Sequence, residues 1–329
     1  MIVTLVPGAD PDLVQRQLSG RGLWVRRYQV GQDVQFYIEP GSARVDVDAL
    51  RQIQGVGSVA SVPSPHPLVD ERVGPVDVAG LAIGGAAGPV VMAGPCGVES
   101  EDQIHGIARR LSEIGVEFLR GGAFKTRTSP YSFQGHGEPA LTWLREAADS
   151  AGLKVVTEVL GPEHAPVVAR HADVIQIGSR NMQNSVLLRT ASAEGRPILL
   201  KRGMAATIDE WLLAGEYCLA HGARGVVFCE RGIRSFDAST RNLLDLGAVA
   251  LLAHVHGLPV VVDPSHATGR RDLIGPLTLA ALAAGAAGVM IETHPEPGSS
   301  LSDSSQALPL EEFEALAREI RAFDPEREA

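Results

Sequence analysis

The sequence predicts an α/β protein, a (β/α)8 TIM barrel preceded by a small ferredoxin-like βαββαβ domain. Two observations carry this expectation. From residue 90 onward, eight short β-rich runs alternate with longer helical segments over roughly 240 residues, the rhythm of parallel strands joined by crossover helices. Before residue 65 the order is instead strand, helix, two strands around a turn, helix, strand, the split pattern of ferredoxin-like units.

In the first segment, residues 2–6 read as a strand, 11–18 as a helix, 23–30 and 34–38 as strands around Gly31 and Gln32, 47–53 as a helix and 58–62 as the last strand. The expected domains are 1–65, a Pro-rich linker at 66–75, and a catalytic barrel over 76–329 that opens with a hairpin at 76–83. The barrel strands are expected at 90–94, 117–122, 154–159, 173–178, 197–203, 225–232, 259–265 and 288–294. Helical segments between and after them include 140–152, 182–195, 207–222, 242–257, 272–285 and 310–323. Thr207 and Glu210 have the spacing of a capping box. An open doubly wound sheet is the structural rival, weakened because no GxGxxG follows a first strand.

A net charge of −10 argues against a general nucleic-acid or anionic-membrane surface. The longest apolar runs are too short to span a bilayer, and the N-terminus has no leader-like segment, so a cytoplasmic protein is expected. Three cysteines do not suggest a disulfide framework.

In a barrel the chemistry lies at the C-terminal ends of the strands. Those ends carry Cys96; Arg120, Lys125 and Arg127; Glu158; Arg180; Lys201 and Arg202; Glu230 and Arg231; Asp263 and His266; Glu292 and His294. Such a mouth is cationic within an acidic protein, which points to phosphorylated and carboxylated substrates. Cys218 and Cys229 fit buried structural positions, one in a helix and one in a strand.

Nine motifs in order resemble the 3-deoxy-D-arabino-heptulosonate 7-phosphate (DAHP) synthase family, in its shorter microbial form with an N-terminal ferredoxin-like domain. They are AGPCGVES (93–100), LRGGAFKTRTSPYSFQG (119–135), VTEV (156–159), IQIGSRNMQN (175–184), LLKRGM (199–204), CERGIRSFD (229–237), VVVDPSHATGRRD (260–272), IETHPEP (291–297) and LSDSSQAL (301–308). The resemblance implies a transferase of the shikimate pathway that condenses phosphoenolpyruvate with erythrose 4-phosphate. It implies a divalent metal, Mn²⁺ first with Fe²⁺, Co²⁺, Zn²⁺ or Cd²⁺ as alternatives, held by Cys96, His266, Glu292 and Asp303. A thiolate, an imidazole and two carboxylates suit such metals better than Mg²⁺ or Ca²⁺.

The resemblance places Arg120, Lys125 and Lys201 at the carboxylate end of phosphoenolpyruvate, and Arg180 and Arg231 at its phosphate with backbone N–H groups around Ser179. It places Glu158 as orienter of the cationic set, Glu230 beside Arg231 among the substrate-binding residues, and Arg127 and Thr128 at the aldose phosphate. Asp263 would meet the aldose hydroxyls. Lys125, Glu158, Asp263 and His266 are the candidates for proton handling, and which of them carries each proton stays open. One departure stands out: Thr126 occupies the position where the family usually has Pro, in KTRTS. That bears on the sister enzyme, 3-deoxy-D-manno-octulosonate 8-phosphate synthase, which is the alternative reading.

Two further alternatives are a Schiff-base aldolase using Lys125 or Lys201 and a non-catalytic barrel that binds phosphorylated metabolites. The N-terminal unit is expected to sense tyrosine or phenylalanine, or to serve assembly alone. A homodimer or homotetramer is expected from the resemblance.

Overall fold

The computed structural model describes residues 1–39, 42–43, 45–86, 88–125 and 129–323. Its contacts divide the chain into two compact units, Met1–Pro67 and Leu68–Ala329.

The first unit runs β1 (Ile2–Leu5), α1 (Pro11–Ser19), β2 (Val25–Val30), β3 (Asp33–Ile38), α2 (Val47–Arg51) and β4 (Val56–Ala60). The strands form one antiparallel sheet in the order β2-β3-β1-β4. Period-2 alternation buries Val3 and Leu5 of β1 while Ile2 and Thr4 are half-buried. Beneath the sheet, Val14 and Leu18 of α1 and Leu50 of α2 join Phe36 and Ile38 in one core. The start of α1 is set by Asp10, whose carboxylate accepts from the N–H groups of Asp12 and Leu13, with Pro11 at the first helical position.

The Pro-rich stretch expected to be a linker carries a helix, α3 (Pro67–Glu71). The Glu216 carboxylate accepts from Leu68 N at 3.1 Å and Val69 N at 2.9 Å, satisfying donors that a helix start leaves free. The hairpin β5 (Val76–Val78) and β6 (Leu81–Ile83) follows.

Eight parallel strands then close into a barrel. Its strands and helices alternate as β7 (Val90–Gly94), α4 (Glu101–Ile114), β8 (Phe118–Arg120), α5 (Glu138–Ala151), β9 (Lys154–Val159), α6 (Ala165–His171), β10 (Val174–Ile177), α7 (Ser185–Ala193), β11 (Ile198–Lys201), α8 (Ile208–Ala220), β12 (Val226–Glu230), α9 (Leu246–Ala250), β13 (Val260–Val262), α10 (Pro264–Thr268), α11 (Ile274–Ala283) and β14 (Gly288–His294). Closure is made by β14, which pairs with β7 from Gly288↔Val90 to Glu292↔Gly94 and with β13 at Val261 and Val262. A two-residue strand, β15 (Leu308–Pro309), extends β14, and α12 (Leu310–Ala322) ends the described chain.

Several helix boundaries differ from expectation for local reasons. Residues 242–245 are not helical, because the Asp245 side chain caps α9 by accepting from Ala248 N; the helix continues as a wide π turn over Leu251–His256. Helix α7 starts only after Asn184, whose side chain accepts from Leu187 N. Helices α4 and α6 were not among the expected segments, although Ser100 caps α4 at Gln103 N. The Thr207–Glu210 capping box is present in both directions.

Two apolar clusters divide the barrel by strand parity. Val90, Met92, Phe118, Val156, Val174, Leu199, Val227, Cys229, Val261 and Met290 fill the interior, joined by Val78 and Ile83 of the hairpin. Their sequence neighbours Val91, Leu119, Val155, Ile175, Leu200, Phe228, Val262 and Ile291 face the helices instead. This parity, continued one step past the apolar layers, aims the last residue of each strand.

Gly94 ends the first barrel strand with φ +145°, and a Cβ there would lie 2.1 Å from the Arg120 carbonyl oxygen. The close approach of β7 to β8 therefore excludes any side chain. Gly94→Ala is expected to destabilise the barrel by roughly 3 kcal/mol from overpacking and backbone strain together, read as a lowered midpoint in thermal or urea unfolding. An unchanged midpoint would show that the two strands separate easily.

Candidate active site

Extending the interior parity to the strand ends gives a ring of polar, mostly ionisable side chains. Arg120, Glu158, Gln176, Lys201, Arg231 and His266 line one cavity of about 320 Å³, with Lys125, Ser129, Ser132, Gly178, Ser179, Arg180, Met204, Arg241 and Asp303. Six of these side chains are cationic, so the cavity is a strongly positive pocket in a protein of net charge −10.

At one side of the cavity, ligand-type atoms of Cys96, His266, Glu292 and Asp303 all lie within 4.8 Å of one another. Each is placed by a different part of the fold. Cys96 follows β7, Glu292 is the inward residue near the end of β14, and His266 sits in α10, whose N-cap is Asp263. Asp303 lies in the loop after β14 with φ +51°, a left-handed conformation that Asp tolerates better than most residues.

The cluster is tightly wired. The Cys96 thiol donates to Asp303 Oδ2 at 2.9 Å and accepts from Lys125 Nζ at 2.8 Å; the same ammonium also donates to the Cys96 carbonyl at 2.8 Å. Glu292 Oε1 lies 3.3 Å from His266 Nε2 and 3.2 Å from Arg120 Nη1. His266 Nδ1 faces Asp263 Oδ2 at 2.8 Å, and Asp263 also pairs with Lys201.

Burial and charge set the protonation states. Burial, with the Glu292 carboxylate, pushes the Cys96 thiol up to about 12 against the pull of Lys125. For Glu292, Asp263 and Asp303 burial also opposes ionisation, but neighbours outweigh it. His266 and Arg120 hold Glu292 low, His266 and Lys201 hold Asp263 well below the usual carboxylate range, and the Cys96 thiol and His266 hold Asp303 low. Burial lowers Arg231 below the usual guanidinium value. A divalent cation fits this donor set: it would neutralise the buried Glu292 and half-buried Asp303 carboxylates and supply the charge that a thiolate needs at this depth.

On the opposite side, Glu158 Oε2 accepts from Gln176 Nε2 at 3.2 Å. A Cβ on Gly178 would lie 1.9 Å from Glu158 Oε1, so any larger residue there would displace this carboxylate. Ser179 lines the cavity, and its hydroxyl is buried and without a hydrogen-bond partner among the described residues. Such an orphan is costly unless a ligand satisfies it.

Of the residues expected from the sequence, Cys96, Arg120, Lys125, Glu158, Ser179, Arg180, Lys201, Arg231, Asp263, His266, Glu292 and Asp303 gather at this mouth. Glu230 does not. It has the outward parity, is fully buried, accepts from Gly232 N at 2.6 Å and pairs with Arg202 at 3.1 Å; burial raises its carboxyl despite that partner. Arg202 is outward too, bound to Asp245 at 2.8 Å and stacked over Trp211. His294 turns to Gln103 and Glu99. Arg127, Thr128 and Thr126 lie outside the described residues. Gln176 and Arg241 are cavity residues that strand-end reading missed; inward parity two residues before Gly178 marks the first.

Fold and mouth together define the (β/α)8 enzyme class, with a cationic cavity suited to anions beside a thiol-bearing, metal-type cluster. Residues 69–326 match the model of the DAHP synthetase I family. The chain is 43% identical to phospho-2-dehydro-3-deoxyheptonate aldolase of Thermotoga maritima, over 98% of this chain and 97% of that one. It is 35% identical to 2-dehydro-3-deoxyphosphooctonate aldolase of Rhodopseudomonas palustris, over 71% and 87%. The crystal structure of the Thermotoga DAHP synthase superposes with a TM-score of 0.77 at 42% identity, over 98% of this chain and 96% of that one. A truncated form of the Thermotoga enzyme gives 0.73 at 44%, over 79% and 96%. The chain belongs to the DAHP synthetase I family.

Breaking the Asp263 triad tests the electrostatics. Asp263→Asn removes the counter-charge of buried Lys201 and is expected to cost about 3–5 kcal/mol at neutral pH, read by denaturant unfolding. The parent's Asp263 value lies below the unfolded one near 3.9. Its ionised form therefore contributes stability above about pH 4, and that contribution fades as the pH falls toward the folded value. A variant as stable as the parent at pH 7 would contradict the pairing.

Proposed function

We propose that the barrel condenses phosphoenolpyruvate with D-erythrose 4-phosphate and water to DAHP and inorganic phosphate, the first step of the shikimate route to chorismate and the aromatic amino acids. The observation that carries this reading is the juxtaposition of a six-cation cavity with the Cys96, His266, Glu292 and Asp303 cluster. The nearly full-length match to a heptonate enzyme favours the four-carbon aldose over the five-carbon aldose of the octonate relatives, whose matches cover 71–76% of this chain.

In this reading Arg120, Lys125 and Lys201 receive the carboxylate of phosphoenolpyruvate. Arg180 and Arg231 receive its phosphate, helped by backbone N–H groups around Ser179. Guanidinium forks match those oxygens better than point charges do. Asp263 meets the aldose hydroxyls and Arg127 with Thr128 its phosphate. A divalent metal on the four ligands, Mn²⁺ by preference, supplies Lewis acidity toward the aldehyde.

The bond forms between C3 of phosphoenolpyruvate and the aldehyde carbon. Lys125, whose ammonium reaches the cluster at Cys96 Sγ, stands by the aldehyde oxygen as it takes up negative charge and then a proton. Water adds at C2, its proton passing to one of Glu158, Asp263 and His266. Phosphate then leaves by C–O cleavage, held by Arg180 and Arg231. No Schiff base is needed: Lys201 and Lys125 act as hydrogen-bond donors, to Asp263 and Cys96 as well as to substrate.

The first unit, whose strand order β2-β3-β1-β4 suits a ferredoxin-like domain, is assigned to feedback by tyrosine or phenylalanine. Assembly as a homodimer or homotetramer and a cytoplasmic location complete the proposal; no helix among the described residues is long and apolar enough to cross a membrane.

The test follows phosphoenolpyruvate absorbance with metal-stripped protein. Loss of signal is expected only with added Mn²⁺ and erythrose 4-phosphate, and Cys96→Ala should abolish it. Turnover of arabinose 5-phosphate instead would move the chain to the octonate chemistry, and no turnover of either sugar despite bound metal would refute the synthase reading.

A further inference from the structure

Glu292 is held by more than the groups around the metal cluster. Its Oε1 faces His266 and Arg120, while its Oε2 accepts from Gln306 Nε2 at 2.5 Å. Gln306 is 1% exposed, and its other end accepts from Arg241 Nη1 at 3.2 Å. Arg241 lines the substrate cavity, and the same nitrogen lies 3.8 Å from Asp303 Oδ1. The backbone N–H of Gln306 donates to the Asp303 carbonyl at 3.1 Å, closing the turn in which Asp303 takes its left-handed conformation.

The orientation of this amide is dictated from both ends. Arginine only donates, so the Gln306 oxygen must face Arg241. The NH₂ group must then face Glu292, which, being ionised, only accepts. No other side chain of this length does both: glutamate would set a second carboxylate against Glu292, and an apolar chain would leave Glu292 Oε2 buried without that donor.

We infer that Gln306 is a positioning residue of the metal centre, aiming Glu292 Oε1 at the ligand cluster, fixing the Asp303 turn and tying both to Arg241 in the substrate cavity. Partners of this kind fix ligand orientation and basicity, and their loss typically costs about 10- to 100-fold in metal affinity. The inference rests on the metal reading of the cluster and adds a residue to it.

The experiment titrates metal-stripped full-length protein with Mn²⁺, counting free Mn²⁺ by electron paramagnetic resonance, for the parent, Cys96→Ala, and the near-isosteric variants Gln306→Met and Gln306→Glu. Thermal unfolding of the metal-free proteins reports folding separately. The expected result is one Mn²⁺ per parent chain, lost in Cys96→Ala, and affinity weakened about 10- to 100-fold in both Gln306 variants. The KM for phosphoenolpyruvate, measured at saturating Mn²⁺, should stay near the parent's, because Gln306 itself does not reach substrate. Mn²⁺ affinity within twofold of the parent in either folded variant would overturn the role of Gln306. A parent that binds no Mn²⁺ would instead remove the metal reading, and this inference with it.

Discussion

Successive side chains on a strand point to opposite faces, and at the mouth of a closed barrel this alternation separates catalysis from structure. Inward residues at the strand ends, Arg120, Glu158, Lys201 and Asp263, enter the cavity or its charged lining. Their outward neighbours are buried against helices, where Arg202 binds Glu230 and Asp245 and holds the top of the barrel wall. A one-residue slip in register would exchange the two sets. The ladder from Val90↔Gly288 to Gly94↔Glu292 therefore positions chemistry as much as it closes the sheet.

The inward set is electrostatically coherent. Each buried acid has a cation or imidazole against it, Glu292 with Arg120 and His266, Asp263 with Lys201 and His266. The acids stay ionised despite burial, while the thiol of Cys96, where burial, Glu292 and Asp303 outweigh Lys125 and Arg120, does not. Arg180 and Arg231 bring positive charge to the complementary half of the site, where Ser179 also lines the cavity. Such arrangements contribute little net stability. Their value lies in a rigid, pre-oriented field for anions and a cation.

Much of this was legible in the sequence because barrel strands are apolar runs ending in charged residues. VVMAG, KVVTEV and GVMIETH begin and end where β7, β9 and β14 do. Glu230 was misread because it is next to Arg231 in sequence; only parity, counted from the apolar layer through Cys229, turns it outward. Gln176 was missed because a neutral amide inside an apolar run looks like an ordinary buried polar residue, and Gln306 because its two partners are 14 and 65 residues away. The start of α9 was misplaced because Asp245, its cap, lies inside an otherwise helix-compatible run.

The central claim is that a buried thiol and three other side chains form one metal site. X-ray absorption of the Mn²⁺- or Zn²⁺-loaded protein tests it most directly. With Zn²⁺ the account requires one sulfur scatterer at about 2.3 Å beside nitrogen and oxygen at about 2.0–2.2 Å, the sulfur disappearing in Cys96→Ser. A first shell of nitrogen and oxygen alone in the parent would contradict it.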